Sequence, residues 1–62
     1  FGKRVREERT KRGISQERLG ELDKVHRTYI GMIERAEKNI TLSNMQKIAK
    51  ALGMKVNSLI DF

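Results

Sequence analysis

The stretch SQERLGELDKVHRTYIGMIER, residues 15–35, decides the fold of this chain. It contains two runs of helix-forming sequence, and the turn DKV at residues 23–25 leaves no room for a long loop between them. In a helix-turn-helix, a short helix and a tight turn precede a second helix, which enters the major groove of DNA by its N-terminal end. The spacing in this stretch therefore predicts a helix-turn-helix that binds DNA in the major groove.

Apolar residues follow the helical period on both sides of that turn. We expect Leu19 and Leu22 to face inward in the first helix, and Ile30 and Ile33 to point into the core from the second. Gly20 has no side chain, which suits a position where two helices cross closely. The two helices are therefore predicted to pack directly on each other.

Segments outside this stretch complete an all-α prediction of five helices. A basic helix covers residues 2–12, a fourth helix covers residues 42–52, and a short last helix is capped by Asn57. Two helix caps and two helix-ending glycines with positive φ are predicted at Ser15, Thr41, Gly13 and Gly53. The apolar stripe of the fourth helix is predicted to comprise Leu42, Met45, Ile48, Ala49 and Leu52.

The composition indicates a single small domain with a polyanionic partner. The chain has 62 residues, with 14 Lys or Arg against 8 Asp or Glu, a net charge of +6 and a pI of about 10.2. A basic balance of this kind favours nucleic acids. Residues 1–62 are therefore expected to form one DNA-binding domain. Because the chain begins with Phe1 rather than Met, we expect residues before it to have been trimmed or to be missing.

The composition also disfavours several classes of protein. The absence of Cys excludes a disulfide framework and a Cys-based metal site, and it fits a cytoplasmic protein. No apolar run approaches the roughly 18 residues that a membrane span requires. The single histidine, His26, has no nucleophile evident near it in the sequence, so we expect no enzymatic activity. Neither a metal nor a small-molecule cofactor is predicted.

The start of the second helix of the motif carries the side chains predicted to read DNA bases. Arg27 can form two hydrogen bonds with a guanine in the major groove, and Thr28 can offer its hydroxyl to a base or its methyl to a thymine. Met32 lies one turn further along the same face, where it can meet a thymine methyl. The alternatives are a solvated surface cation for Arg27 and a packing role for Met32.

Polar side chains around this helix are predicted to contact the DNA backbone. A helix N-terminus offers amides and a favourable dipole to a phosphate, and the loop after the recognition helix lies where the DNA backbone should pass. For Tyr29, the alternative is a half-buried ring that braces the helix. The predicted backbone contacts are Gln16, His26, Tyr29, Arg35, Lys38 and Asn39.

The order of these motifs resembles the repressor/Cro-type helix-turn-helix family, often called xenobiotic-response-element-type regulators. The matching segments are GKRVREER at 2–9, SQERLGEL at 15–22, RTYIGMIER at 27–35, KN at 38–39 and TLSNMQKIAKALG at 41–53. They cover nearly the whole chain. Within the family, HRTYIGMIER followed by EKN looks most like the small controller proteins that regulate restriction–modification genes.

The resemblance implies a compact five-helix, repressor-like domain that binds operator DNA as a homodimer, with the last helix in the dimer contact. By position, the glutamine that the family carries in helix two falls on Gln16. The base-reading positions of the family fall on Arg27, Thr28 and Met32. The resemblance and the residue-level interpretation therefore indicate the same recognition surface.

The resemblance also implies an inward-leaning ion pair between Arg9 and Glu34, for which the alternative is two exposed charges. Three positions depart from the family pattern. Lys24 occupies the turn position where Gly is common, Ala36 replaces a frequent Gly, and Ile40 replaces a frequent Pro. A left-handed conformation at Lys24 would cost on the order of 1 kcal/mol.

The tail MKVNSLIDF, residues 54–62, is unusually apolar for a chain terminus. Three of its last four residues are apolar, and not all of them can turn inward on one short helix. We therefore expect residues 54–62 to form the dimer contact through Leu59, Ile60 and Phe62. The alternative is that these residues close the core of a single chain.

These features predict a transcriptional regulator that binds a short palindromic operator as a homodimer. RNA polymerase is a further partner expected for a regulator bound near a promoter. The alternative from another class is an antitoxin or adaptor whose helical surface binds a protein, and such a module need not keep Gln16, Arg27, Thr28 and Lys38 together. A basic segment at a membrane surface is disfavoured, because the apolar stripes are distributed over several helices.

Overall fold

The computed structural model describes residues 1–37 and 39–60, and all of the regular structure within them is helical. The elements are α1 (Gly2–Lys11), α2 (Gln16–Asp23), α3 (Arg27–Glu34), α4 (Leu42–Ala51) and a 3-10 turn (Val56–Ser58). The all-α prediction is confirmed. The prediction of five helices is wrong, since four α-helices and one three-residue turn form the described part of the chain.

The C-terminal turn is too short to be a fifth helix, because the chain bends into the core immediately after it. Its bonds run three residues back, from the amide of Ser58 to the carbonyl of Lys55 and from the amide of Leu59 to the carbonyl of Val56, both at 3.0 Å. The sequence had predicted that Asn57 caps a last helix. This prediction is wrong, because Asn57 lies in the middle of the turn.

Local signals set the helix boundaries elsewhere. The hydroxyl of Ser15 accepts a hydrogen bond from the backbone N–H of Arg18 at 3.0 Å. The hydroxyl of Thr41 accepts one from the backbone N–H of Asn44 at 3.2 Å. Gly13 and Gly53 follow α1 and α4 with φ of +68° and +71°. These four predictions are confirmed, because caps and left-handed glycines depend on nearby backbone alone.

The core lies where one face of each helix meets the others. Its buried apolar residues are Val5, Leu19, Ile30, Ile33, Ile48, Ala49, Leu52 and Leu59. Two inward predictions are wrong, since Leu22 is 42% exposed and Leu42 is 60% exposed. Leu42 is the first residue of α4, and Leu22 borders a surface groove lined also by Lys47 and Lys50.

The close approach of α2 and α3 depends on Gly20, as the sequence predicted. A Cβ placed on Gly20 would lie 2.7 Å from the carbonyl oxygen of Val25 and 3.3 Å from the amide nitrogen of Arg27. Any larger residue would push the turn away from α2. This contact fixes the start of α3 against the preceding helix.

We expect Lys24→Gly to raise the free energy of unfolding by about 0.5–1 kcal/mol. Lys24 ends α2 in a left-handed conformation, with φ of 59° and ψ of 40°, where a Cβ crowds the following carbonyl oxygen. Thermal denaturation provides the measurement. Lys24→Ala is the matched control, because it removes the charge and keeps the strain, and we expect it to leave stability unchanged. Equal gains from both variants would assign the effect to charge instead of backbone strain.

Candidate nucleic-acid interface

Helix α3 starts with an imidazole cap. His26 precedes the helix in an extended conformation, and its Nδ1 accepts the backbone N–H of Thr28 at 3.1 Å. Nδ1 therefore acts as the acceptor, which leaves the proton of the neutral ring on Nε2. His26 and Thr28 are both exposed, so the first turn of α3 presents polar side chains to solvent.

Arg27 is exposed at this end of α3, and it has a partner that the sequence did not reveal. Its Nη1 lies 3.3 Å from Oε2 of Glu17 in α2, with the two side chains 65% and 66% exposed. An ion pair this exposed is worth under about 1 kcal/mol, so the guanidinium can leave it easily. The carboxylate of Glu17 therefore competes with any other ligand of Arg27.

Gln16 stands at the first position of α2 and turns toward α3. Its Nε2 donates a hydrogen bond to Oε1 of Glu34 at 3.1 Å. A Cβ on Gly31 would lie 3.4 Å from Gln16 Oε1 and 3.7 Å from Nε2, so the amide covers this buried glycine. The Gln16 side chain thus joins the N-terminal end of α2 to the C-terminal half of α3.

Behind Gln16 lies the ion pair that the resemblance implied. Arg9 Nε donates to Glu34 Oε2 at 2.7 Å and Nη2 donates to Oε1 at 3.2 Å, while Nη1 donates to the carbonyl of Ile14 at 2.8 Å. The side chains of Glu34 and Arg9 are 2% and 14% exposed. The pair is buried, so the alternative of two exposed charges does not hold. A bidentate, charge-assisted pair of hydrogen bonds between an arginine and a carboxylate is geometrically specific.

Tyr29 braces α3 against α4. Its ring is half-buried against the core, and its hydroxyl accepts a hydrogen bond from Nδ2 of Asn44 at 3.0 Å. This arrangement matches the bracing alternative from the sequence. A contact between Tyr29 and the DNA backbone stays a prediction.

The remaining predicted DNA contacts are Met32 on α3 and three residues that follow this helix, Arg35, Lys38 and Asn39. Met32 is half-buried, while Arg35 and Asn39 are exposed. Arg35 Nε lies 3.1 Å from Glu37 Oε2, and this hydrogen bond raises the pKa of Arg35, which keeps it fully charged. Lys38 lies outside the described residues.

The basic face of α1 is partly neutralised by an acid that the sequence analysis missed. Glu8 is buried, and its carboxylate lies 2.6 Å from Arg12 Nη1, with Arg4 and Lys11 at 3.5 and 3.6 Å. The hydrogen bond from Arg12 holds the pKa of Glu8 below its usual value. The i, i+3 and i, i+4 spacings of these cations around Glu8 are the sequence signal that could have revealed the cluster.

The C-terminal segment divides between core and surface. Leu59 is fully buried in the core of the single chain, so the prediction that it contributes to a dimer contact is wrong. Its exposed fraction is 0%, which leaves none of its surface for a second copy. Ile60 is half-buried, and Phe62 lies outside the described residues.

Within residues 1–37 and 39–60, no three His, Cys, Asp or Glu side chains come together in a way that could hold a metal ion. No helix in the described part of the chain is long and apolar enough to cross a bilayer.

The helix α2, capped by Ser15, packs against α3 after a tight turn, and this arrangement is a helix-turn-helix. The chain belongs to the helix-turn-helix family, whose model matches residues 5–59. The resemblance predicted from the sequence is confirmed. Members of this family are DNA-binding transcription regulators and not enzymes.

Controller proteins and repressors are among the proteins that this chain resembles. The chain is 48% identical over 63 aligned positions to control protein C.BamHI of Bacillus amyloliquefaciens, covering 100% of this chain and 78% of that protein. The crystal structure of the restriction-modification controller protein C.AhdI from Aeromonas hydrophila matches with a TM-score of 0.93 and 43% identity, covering 97% of this chain and 91% of that one. The P22 c2 repressor, solved in complex with a synthetic operator, matches with a TM-score of 0.88 and 32% identity over 97% and 91% of the two chains.

Proposed function

We propose that this chain is a sequence-specific transcriptional regulator that binds a short palindromic operator as a homodimer, with α3 in the major groove. The observation that carries the proposal is the start of α3, where Arg27 and Thr28 are exposed and Arg27 Nη1 lies 3.3 Å from Glu17 of α2. Support comes from the P22 c2 repressor, a structural relative solved with its operator, and from the controller proteins, which are the relatives named above.

The proposed contacts divide into base reading and anchoring. Arg27 and Thr28, which are exposed at the start of α3, would face base edges, together with Met32, which is half-buried one turn after Thr28. Anchoring would come from groups at the helix ends and in the following loop, where phosphates can meet donors. The proposed anchors are Gln16, His26, Tyr29, Arg35, Lys38 and Asn39.

Dimerisation is proposed because a single chain is too small to bind both half-sites of a palindromic operator. The longest dimension of the chain is 27 Å, whereas successive major grooves on one face of DNA are about 34 Å apart. Two copies related by a two-fold axis would place one α3 in each groove. The half-buried apolar side chains of Met54, Val56 and Ile60 supply the surface proposed for that contact.

We expect Ile60→Asp to weaken self-association at least tenfold, because an unpaired carboxylate would be buried in the contact. Sedimentation equilibrium measures the change. Leu22→Asp is the matched control, since Leu22 is an exposed leucine in a different element. An Ile60→Asp chain that self-associates as strongly as the unaltered chain would place the contact elsewhere.

Selection from a random pool of DNA duplexes tests the proposed function. The expected result is enrichment of two inverted half-sites whose centres are about one helical turn apart, each with a fixed guanine. A pool that shows no enrichment, with no measurable binding of any duplex, would instead favour the protein-interaction alternative.

We expect Glu17→Gln to strengthen DNA binding by roughly fivefold, because it releases Arg27 and removes a negative charge from the interface. Fluorescence anisotropy with the selected duplex provides the measurement. Glu21→Gln is the matched control, since Glu21 sits on the same helix and pairs with Arg18 at 3.5 Å. Equal gains from the two variants would reflect net charge alone and would contradict a specific competition for Arg27.

A further inference from the structure

We infer that Glu34 and Arg9 are positioning residues for DNA binding, because their buried ion pair holds the amide of Gln16 in place as a phosphate donor. This inference rests on the proposed function and deepens it. Its basis is a continuous chain of hydrogen bonds from α1, through the C-terminal end of α3, to the first residue of α2.

Burial and its ion pair with Arg9 hold the carboxylate of Glu34 in one position. The side chain of Glu34 is 2% exposed, and its carboxylate accepts two hydrogen bonds from Arg9, at 2.7 and 3.2 Å. Arg9 is held in turn by the carbonyl of Ile14, at 2.8 Å. A buried charge that is paired in this way stays fixed, because leaving the site would strand the partner charge.

A fixed carboxylate fixes the orientation of the Gln16 amide. Oε1 of Glu34 accepts from Nε2 of Gln16 at 3.1 Å. In the flipped orientation two oxygens would face each other at this distance, so only one amide orientation is favourable. The bare surface of Gly31 leaves the room in which the amide lies.

The Gln16 amide retains donor capacity. A side-chain NH₂ group carries two hydrogens, and the bond to Glu34 uses one of them. Gln16 is the first residue of an eight-residue helix whose amides and dipole already favour an anion. An amide held there in advance binds a phosphate without the entropic cost of ordering a free side chain. Glu34 and Arg9 would therefore act on DNA affinity through Gln16, without touching DNA.

Side-chain nitrogen relaxation in the free protein tests the positioning directly. The chain has two glutamines, so Gln46, which is exposed on α4, is an internal control. We expect a side-chain order parameter near 0.8 for Gln16 and below about 0.6 for Gln46. Equal mobility of the two amides would overturn the inference, and this readout requires neither a variant nor DNA.

A double-mutant cycle tests the consequence for binding. The background variant Arg9→Met/Glu34→Leu replaces the pair by apolar side chains, a change that cores often tolerate. With a mixed-sequence duplex as the probe, Gln16→Ala should weaken binding about tenfold in the unaltered chain and less than about twofold in this background. Equal losses in both backgrounds would overturn the inference while leaving the proposed function intact. An unaltered chain that binds no duplex would refute both.

Discussion

Arg9→Met is expected to lower the free energy of unfolding by roughly 3 kcal/mol, because it leaves the carboxylate of Glu34 buried without its cation. The side chain of Glu34 is 2% exposed, so water cannot replace the two lost hydrogen bonds. In a domain of this size the loss corresponds to a fall in Tm on the order of 15 °C. Thermal and chemical denaturation followed by circular dichroism measure it.

Two further variants separate the buried pair from charge in general. Arg18→Met removes an arginine whose partner Glu21 is as exposed as itself, each 61%, and it should change stability by well under 1 kcal/mol. Arg9→Met/Glu34→Leu should recover most of the stability that the single variant loses, since neither charge then remains. A single variant as stable as the unaltered chain would show that the pair adds nothing to folding.

Arg27→Ala should cost about 1–3 kcal/mol of binding free energy and relax the preference for one guanine in each half-site. Arg27 is the exposed cation at the start of α3, and only a weak surface pair with Glu17 holds it in the free chain. Binding measured with the selected duplex, and with duplexes changed at that guanine, gives both quantities.

Arg35→Ala is the comparison for this experiment, because Arg35 is an exposed arginine at the other end of the same helix. As a proposed phosphate anchor, it should weaken all duplexes by a similar factor and reduce the salt slope by about one unit. If Arg27→Ala behaved in that same way, Arg27 would be an anchor, and base reading would fall to Thr28 and Met32.

The helix boundaries could be predicted from the sequence because the groups that set them are close in the chain. Ser15 caps an amide three residues on, and Gly13 ends α1 with positive φ. Lys24 shows the same locality, since a turn of this length requires a left-handed residue whatever its side chain. The C-terminal turn could not be predicted in this way, because the burial of Leu59 depends on packing against the core and not on any local signal.

The candidate site was only half predictable. Periodicity placed Arg27 and Thr28 on the exposed side of α3, but it gave no indication that Glu17 competes for the guanidinium. Gln16 was predicted from its position at a helix start, whereas its bond to Glu34 joins residues 18 apart in the chain. Contacts of this kind depend on the angle and distance between helices, which no local pattern encodes.

By itself, the sequence determined that the chain is helical, where α1 to α4 begin and end, and which residues stand at the start of the recognition helix. These properties follow from caps, glycines and the period of apolar residues, all of which act over one or two turns. Only the tertiary structure decided that Leu59 is buried, that Leu22 is exposed, and that Glu34 joins Arg9 to Gln16. Those outcomes depend on how several helices share one small core, because burial and pairing are properties of the packed chain and not of any segment within it.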